Sequence, residues 1–130
     1  MEMMEWYQTL IRPDFAPPAE LFGPVWGVLY VIIAISFGYL AVQIIKKRIP
    51  MYVGVPFALN LAFNLLFTPV TFGLQNLFLG SVIVLATLGT IVWMMVRVWP
   101  HSRIVAYAQV PYLAWVSFAS VLQVTITYLN

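Results

Sequence analysis

Four stretches of about twenty apolar residues, none with an ionisable side chain in its interior, constrain this 130-residue chain more than any other feature. They run roughly over 22–45, 51–72, 77–98 and 104–129. About 20 apolar residues suffice for a helix to cross the hydrocarbon core of a bilayer. Only a few residues separate successive stretches, which makes consecutive helices antiparallel neighbours. The expected fold is therefore all-α and integral to the membrane, with four transmembrane helices in one antiparallel bundle. Residues 1–130 form a single membrane domain, in which 1–21 is a loop or lid outside the bundle. With 63% hydrophobic and 8% charged residues, the chain lies far from soluble domains, which run at about 25% charged.

Charge is distributed by position. Lys46, Lys47, Arg48, Arg97 and Arg103 fall in the first and third connections, so that five of the six basic residues lie on one side. Glu2, Glu5, Asp14 and Glu20 all precede the first span, accompanied only by Arg12. Under the positive-inside rule the basic loops 46–50 and 97–103 are cytoplasmic and both termini lie outside, in a multi-pass protein of a prokaryotic cytoplasmic membrane. No signal peptide is expected, because the first eleven residues carry two glutamates and no basic n-region. The net charge of +2 gives no footprint for nucleic acid.

The same inventory excludes several chemistries. Ion-coupled transporters place an ionisable residue at membrane depth, and these spans have none. Without cysteine there is no disulfide framework or thiolate metal site, and the lone His101 stands in a loop beside Pro100 and Arg103. No metal centre, obligatory cofactor or catalytic cluster is expected.

What remains is a set of stripes. In the first span, Phe22, Trp26, Tyr30, Ile33 and Phe37 share one face, and Gly23, Gly27, Ala34 and Gly38 form an adjacent face of small residues suited to close helix packing. The second span carries Asn60, Asn64 and Thr68 at intervals of four, with Phe67 alongside. Lipid offers these amides no partner, so they must look inward. Two readings stand for them: glue between helices, or the polar lining of a ligand pocket. The fourth span places Tyr112, Trp115 and Ala119 on one face, with Ser117, Ser120, Gln123 and Thr127 near another. Pro56 and Pro111 each fall several residues into a span and invite a bend.

These stripes also carry a family likeness. WYQTLIRPDFAPPAELFGPVWGVLY (6–30), ALNLAFNLLFTPVTFGLQN (58–76) and PYLAWVSFASVLQ (111–123) resemble the TspO/MBR family, also called the translocator protein, tryptophan-rich sensory protein or peripheral benzodiazepine receptor family. The resemblance implies bundled membrane helices around a pocket for porphyrins and other flat heterocycles. Its ligand-binding residues would be Trp26, Tyr30, Asn60, Asn64, Phe67, Tyr112, Trp115 and Ala119, under a lid containing Trp6, Tyr7, Phe15, Pro17 and Pro18. Its implied partners are the lipid bilayer, a porphyrin- or haem-like small molecule and, as a homodimer, a second copy.

Three departures accompany the likeness. The family's first helix has no counterpart, which implies a lid tethered at one end only. Gly80-Ser81-Val82-Ile83 stands where an acidic residue is usual, and no Lys or Arg follows Tyr128, so sterol binding is not expected. The leading function is a membrane receptor or carrier for a porphyrin-like heterocycle. The alternatives are a light-dependent porphyrin-degrading protein and an oligomerising membrane scaffold.

Overall fold

The computed structural model describes residues 9–14 and 22–130, apart from the side chains of Phe22 and Phe72. Helix α1 spans Phe22–Ile45, α2 Gly54–Thr68, α3 Leu77–Val98, α4 Arg103–Ala108 and α5 Val110–Leu129. The four long segments, with α4 and α5 counted as one, are long and apolar enough to cross a membrane. Among the described residues there is no strand.

Each connection has a local cause. The α1 end is closed by a Schellman arrangement, in which the Lys47 N–H donates to Ile44 O (3.0 Å) and the Arg48 N–H to Gln43 O (2.9 Å). It requires a left-handed residue, and Lys47 fills that position with φ 59°. A 3-10 turn at Met51–Val53 leads into α2, so Pro56 falls in the first α-helical turn, where its missing N–H leaves no gap. At its far end α2 widens into a π turn, Pro69–Gly73, that carries the span on to the loop. Asn76 then caps α3, its side-chain oxygen accepting from the Leu79 N–H at 2.9 Å.

The expected single fourth span is broken in two. The chain turns at Gln109, whose N–H donates to Ala106 O at 3.1 Å, and restarts with Pro111 in the first turn of α5. Proline removes the donor that would have continued α4, and so places the break.

Helix α3 is the centre of the bundle. Gly80, Ile83, Val84, Thr87, Thr90, Ile91, Met94 and Val98 recur at helical spacing and are all buried, facing α2 and α5. Gly80 makes close approach possible, since a Cβ there would collide with the Thr71 side chain of the π turn. At the start of α3, Leu77 O accepts from Gln123 Nε2 (3.2 Å) and Thr127 Oγ1 (3.3 Å), while Ser81 and Thr127 hydroxyls pair at 2.8 Å. The second polar stripe of the last span is therefore a seam between α3 and α5.

Helix α1 is attached differently. Its basic half packs through Leu40 and through Phe37, set edge-on to Phe57 at 4.9 Å. Its small-residue face, expected to pack against another helix, does not do so among the described residues. Gly23, Gly27, Ala34 and Gly38 are exposed, and a Cβ at any of the three glycines would meet nothing within 4 Å. Leu29, Ile33, Ser36 and Leu40 have taken the inward position, with Trp26 and Phe37 half-buried beside them, and this turns the glycines outward.

Candidate functional site

The two ends of the bundle differ in chemistry. At the basic end, the Arg97 guanidinium lies over the Tyr52 ring, 5.8 Å from its centroid. At the terminal end, Asn130 clasps Ile11: the Ile11 N–H donates to Asn130 Oδ1 (3.2 Å) and Asn130 Nδ2 donates to Ile11 O (3.0 Å). The N-terminal segment is thus held at a second point, in contrast to the lid tethered at one end only that the sequence implied. The lid residues Trp6, Tyr7, Phe15, Pro17 and Pro18 lie outside the described residues.

Between these ends the polar side chains of four elements converge. Tyr30 of α1 donates its hydroxyl to Asn64 Oδ1 at 2.9 Å. Asn64 Nδ2 donates to the Tyr112 hydroxyl at 2.6 Å, and that hydroxyl donates to Asn60 Oδ1 at 3.0 Å. Asn60 Nδ2 completes the chain through Thr90 Oγ1 (3.0 Å) and Thr87 O (3.2 Å). Asn60, Asn64 and Tyr112 are 1%, 6% and 0% exposed, so water has no part in satisfying them. In a bilayer an unpaired amide costs several kcal/mol, and this closed relay removes that penalty. It bonds α1, α2, α3 and α5 at one level.

The larger aromatics stand on one side of this layer. Helix α1 runs from the terminal end to the basic end, whereas α2 and α5 run back. Trp26 precedes Tyr30 by four residues, Phe67 follows Asn64 by three and Trp115 follows Tyr112 by three. Residues three or four apart share a helix face, so each of the three stands about one helical turn, roughly 5 Å along its own helix axis, to the terminal side of a relay residue. Trp26, Phe67 and Trp115 are partly buried and pack against the apolar core. Trp26 leans on Tyr30 with centroids 5.5 Å apart, and Trp115 on Phe118 at 5.7 Å. Ala119, half-buried, follows one turn above Trp115.

The sequence-predicted residues thus divide into a floor (Tyr30, Asn60, Asn64, Tyr112) and a rim (Trp26, Phe67, Trp115, Ala119). Thr68, on the asparagine stripe, is exposed and outside the relay. Four residues were missed: Thr87 and Thr90 of the relay, and Gln109 and Ser36, which make a second polar contact from Gln109 Nε2 to Ser36 Oγ at 2.9 Å. A threonine pair three apart in the third span was the available signal for the first two. Gln109 had none, because its importance comes from the helix break. His101 lies at the basic end, edge-on to Tyr52 at 6.4 Å. Among the described residues no three metal-ligating side chains gather.

Fold and site together define a multi-pass helical membrane protein whose polar groups gather in one buried layer beneath an aromatic rim. Residues 1–129 match the TspO/MBR family, and the chain belongs to that family. It is 36% identical to the tryptophan-rich protein TspO of Chlorobaculum tepidum, covering 96% of this chain and 79% of that protein. It is 35% identical to the TspO of Archaeoglobus fulgidus, over 96% and 80% of the two chains. Human translocator protein is 32% identical, over 93% of this chain and 72% of its own length.

Proposed function

We propose that the protein is a membrane receptor or carrier for a flat hydrophobic heterocycle, a porphyrin-like tetrapyrrole, held on the terminal side of the Tyr30–Asn64–Tyr112–Asn60 layer. The observation that carries this reading is that Trp26, Phe67 and Trp115, from three helices, each stand one helical turn to the terminal side of a relay residue and pack partly buried against the core. Aromatic rings offer stacking area to a planar ligand, and a mostly apolar site with few polar groups suits small-molecule binding. The floor has most of its hydrogen-bonding capacity committed internally. Its role is to fix the depth and shape of the site, with the second Asn64 amide hydrogen left for a ligand edge. The proposed orientation sets the basic end in the cytoplasm of a prokaryotic cell and opens the rim to the outer side.

Titration of the purified protein with protoporphyrin, following tryptophan quenching, tests the reading. Trp26→Phe and Trp115→Phe should each weaken binding severalfold. Quenching unchanged in both variants removes the site. Illuminating the same complex and recording product spectra distinguishes simple binding from porphyrin degradation. The bare glycine face of α1 supports a compatible second reading, in which another copy of the chain packs there as a homodimer. Cross-linking in membranes that returns only monomer would eliminate it.

A further inference from the structure

We propose that the basic end of the bundle carries a site for the phosphate headgroup of an anionic glycerophospholipid, built from Arg97 and Arg103 on aromatic supports. Residues 21–130 contain five Lys and Arg residues and no acidic side chain, so no side chain of the bundle helices supplies counter-charge at this end. Two of the five cations are held against rings. The Arg97 guanidinium lies 5.8 Å from the Tyr52 centroid, and Tyr52 is braced edge-on by His101 at 6.4 Å. The Arg103 guanidinium lies 5.1 Å from the Trp99 centroid, and Trp99 is braced edge-on by Tyr107 at 5.3 Å.

A guanidinium stacked on a ring keeps its N–H edges outward and loses less freedom when it binds. Its planar fork matches two phosphate oxygens at once. Both arginines and both supporting rings are exposed, so the forks are reachable. Their depth identifies the ligand. Arg97 is the penultimate residue of α3 and Arg103 the first of α4, the level at which a membrane helix meets lipid phosphates and at which Trp and Tyr settle. Met51, Val96 and Ile104 beside them are 78%, 66% and 83% exposed, an apolar flank that suits acyl chains and offers nothing to a soluble anion. Lys46, Lys47 and Arg48 are exposed too, but no ring is stacked on them among the described residues. They add attraction without geometry.

Native mass spectrometry of the purified protein with added phosphatidylglycerol or phosphatidylcholine tests the site. One phosphatidylglycerol should be retained in preference to phosphatidylcholine. Arg97→Gln with Arg103→Gln should weaken that retention roughly 30-fold. Lys46→Gln, Lys47→Gln and Arg48→Gln together, although they remove more charge, should weaken it less than the arginine pair does, because these side chains present no ring-held fork to the headgroup. Arg97→Lys with Arg103→Lys keeps charge and fold and loses the fork, and should fall roughly tenfold. This pair decides the matter if the glutamine pair does not fold. The site is overturned by any of four results: equal retention of both lipids, equal loss in the triple variant, wild-type retention in the lysine pair, or displacement of the lipid by millimolar inorganic phosphate.

Discussion

Helix α1 and the unit formed by α2, α3 and α5 solve the same problem in opposite ways. Within lipid there is no hydrophobic force between helices, so contact must come from close packing and from hydrogen bonds. The three-helix unit uses both. Gly80 lets the π turn of α2 sit against α3, and Ser81, Gln123 and Thr127 seam α3 to α5. Helix α1 turns its glycines outward instead, and buries only Leu29, Ile33, Ser36 and Leu40, against nine residues of α3. It is tied by two side-chain bonds, Gln109 to Ser36 in its basic half and Tyr30 to Asn64 nearer the terminal end. The unit is a frame and α1 is a wall latched to it. That difference matters for the proposed ligand site, because the wall is the element that can yield while the polar relay among the other helices stays intact.

The strongest way to break this comparison is at the floor. Asn60→Ala removes the acceptor of the Tyr112 hydroxyl and both bonds to α3, and should lower stability in mixed micelles by about 3 kcal/mol. A loss below about 1 kcal/mol, read from equilibrium unfolding, would show that the relay does not hold the frame. Gly80→Ala comes next. Its methyl collides with the buried Thr71 side chain, so about 2 kcal/mol should be lost. The same change at Gly27 or Gly38 meets open space and should be neutral or stabilising by up to about 1 kcal/mol. Equal damage at all three glycines would erase the distinction between frame and wall.

These contrasts also mark what the sequence could say. Hydropathy and length placed every span, because lipid requires long uninterrupted apolar helices and tolerates ionisable groups only at their ends. The Asn60–Asn64 stripe and the Tyr112–Trp115 stripe were legible, because a helix repeats its faces at three and four residues. What periodicity cannot give is which face meets which neighbour. Gly23, Gly27, Ala34 and Gly38 have the spacing of a packing face and look outward. Gln123 and Thr127 form a polar stripe whose neighbour the sequence does not name, and both bind Leu77 O. Nor does the order of residues along the chain show that Tyr30, Tyr112, Thr87 and Thr90 would bond the two asparagines from other helices.

A smaller effect is expected where α1 ends. Lys47 stands at φ 59° in the closing turn, a conformation that disfavours any side chain with a Cβ. Lys47→Gly should therefore stabilise by up to about 1 kcal/mol, seen as a higher unfolding midpoint with no change in ligand titration. A lower midpoint would mean that the lysine side chain contributes more at the basic end than its backbone strain removes.

The smallest energetic effect tests the latch itself. Tyr30→Phe deletes one bond from α1 to Asn64 and leaves the rest of the relay in place, so stability should fall by only about 0.6 kcal/mol. Its effect on position should be larger than its effect on energy. The chain has no cysteine, so Ile33→Cys introduces a single thiol on the inner face of α1, at a site 4% exposed. With Tyr30 present, that thiol should react slowly with a membrane-permeant maleimide. In the Tyr30→Phe background it should react severalfold faster, and faster again when Ser36→Ala removes the second latch. Local opening of this kind draws on the least stable contacts first, and global unfolding need not change with it. Labelling that does not respond to either latch would mean that α1 is held by its apolar contacts at Phe37 and Leu40 alone. A Tyr30→Phe loss as large as that of Asn60→Ala would mean instead that α1 belongs to the frame.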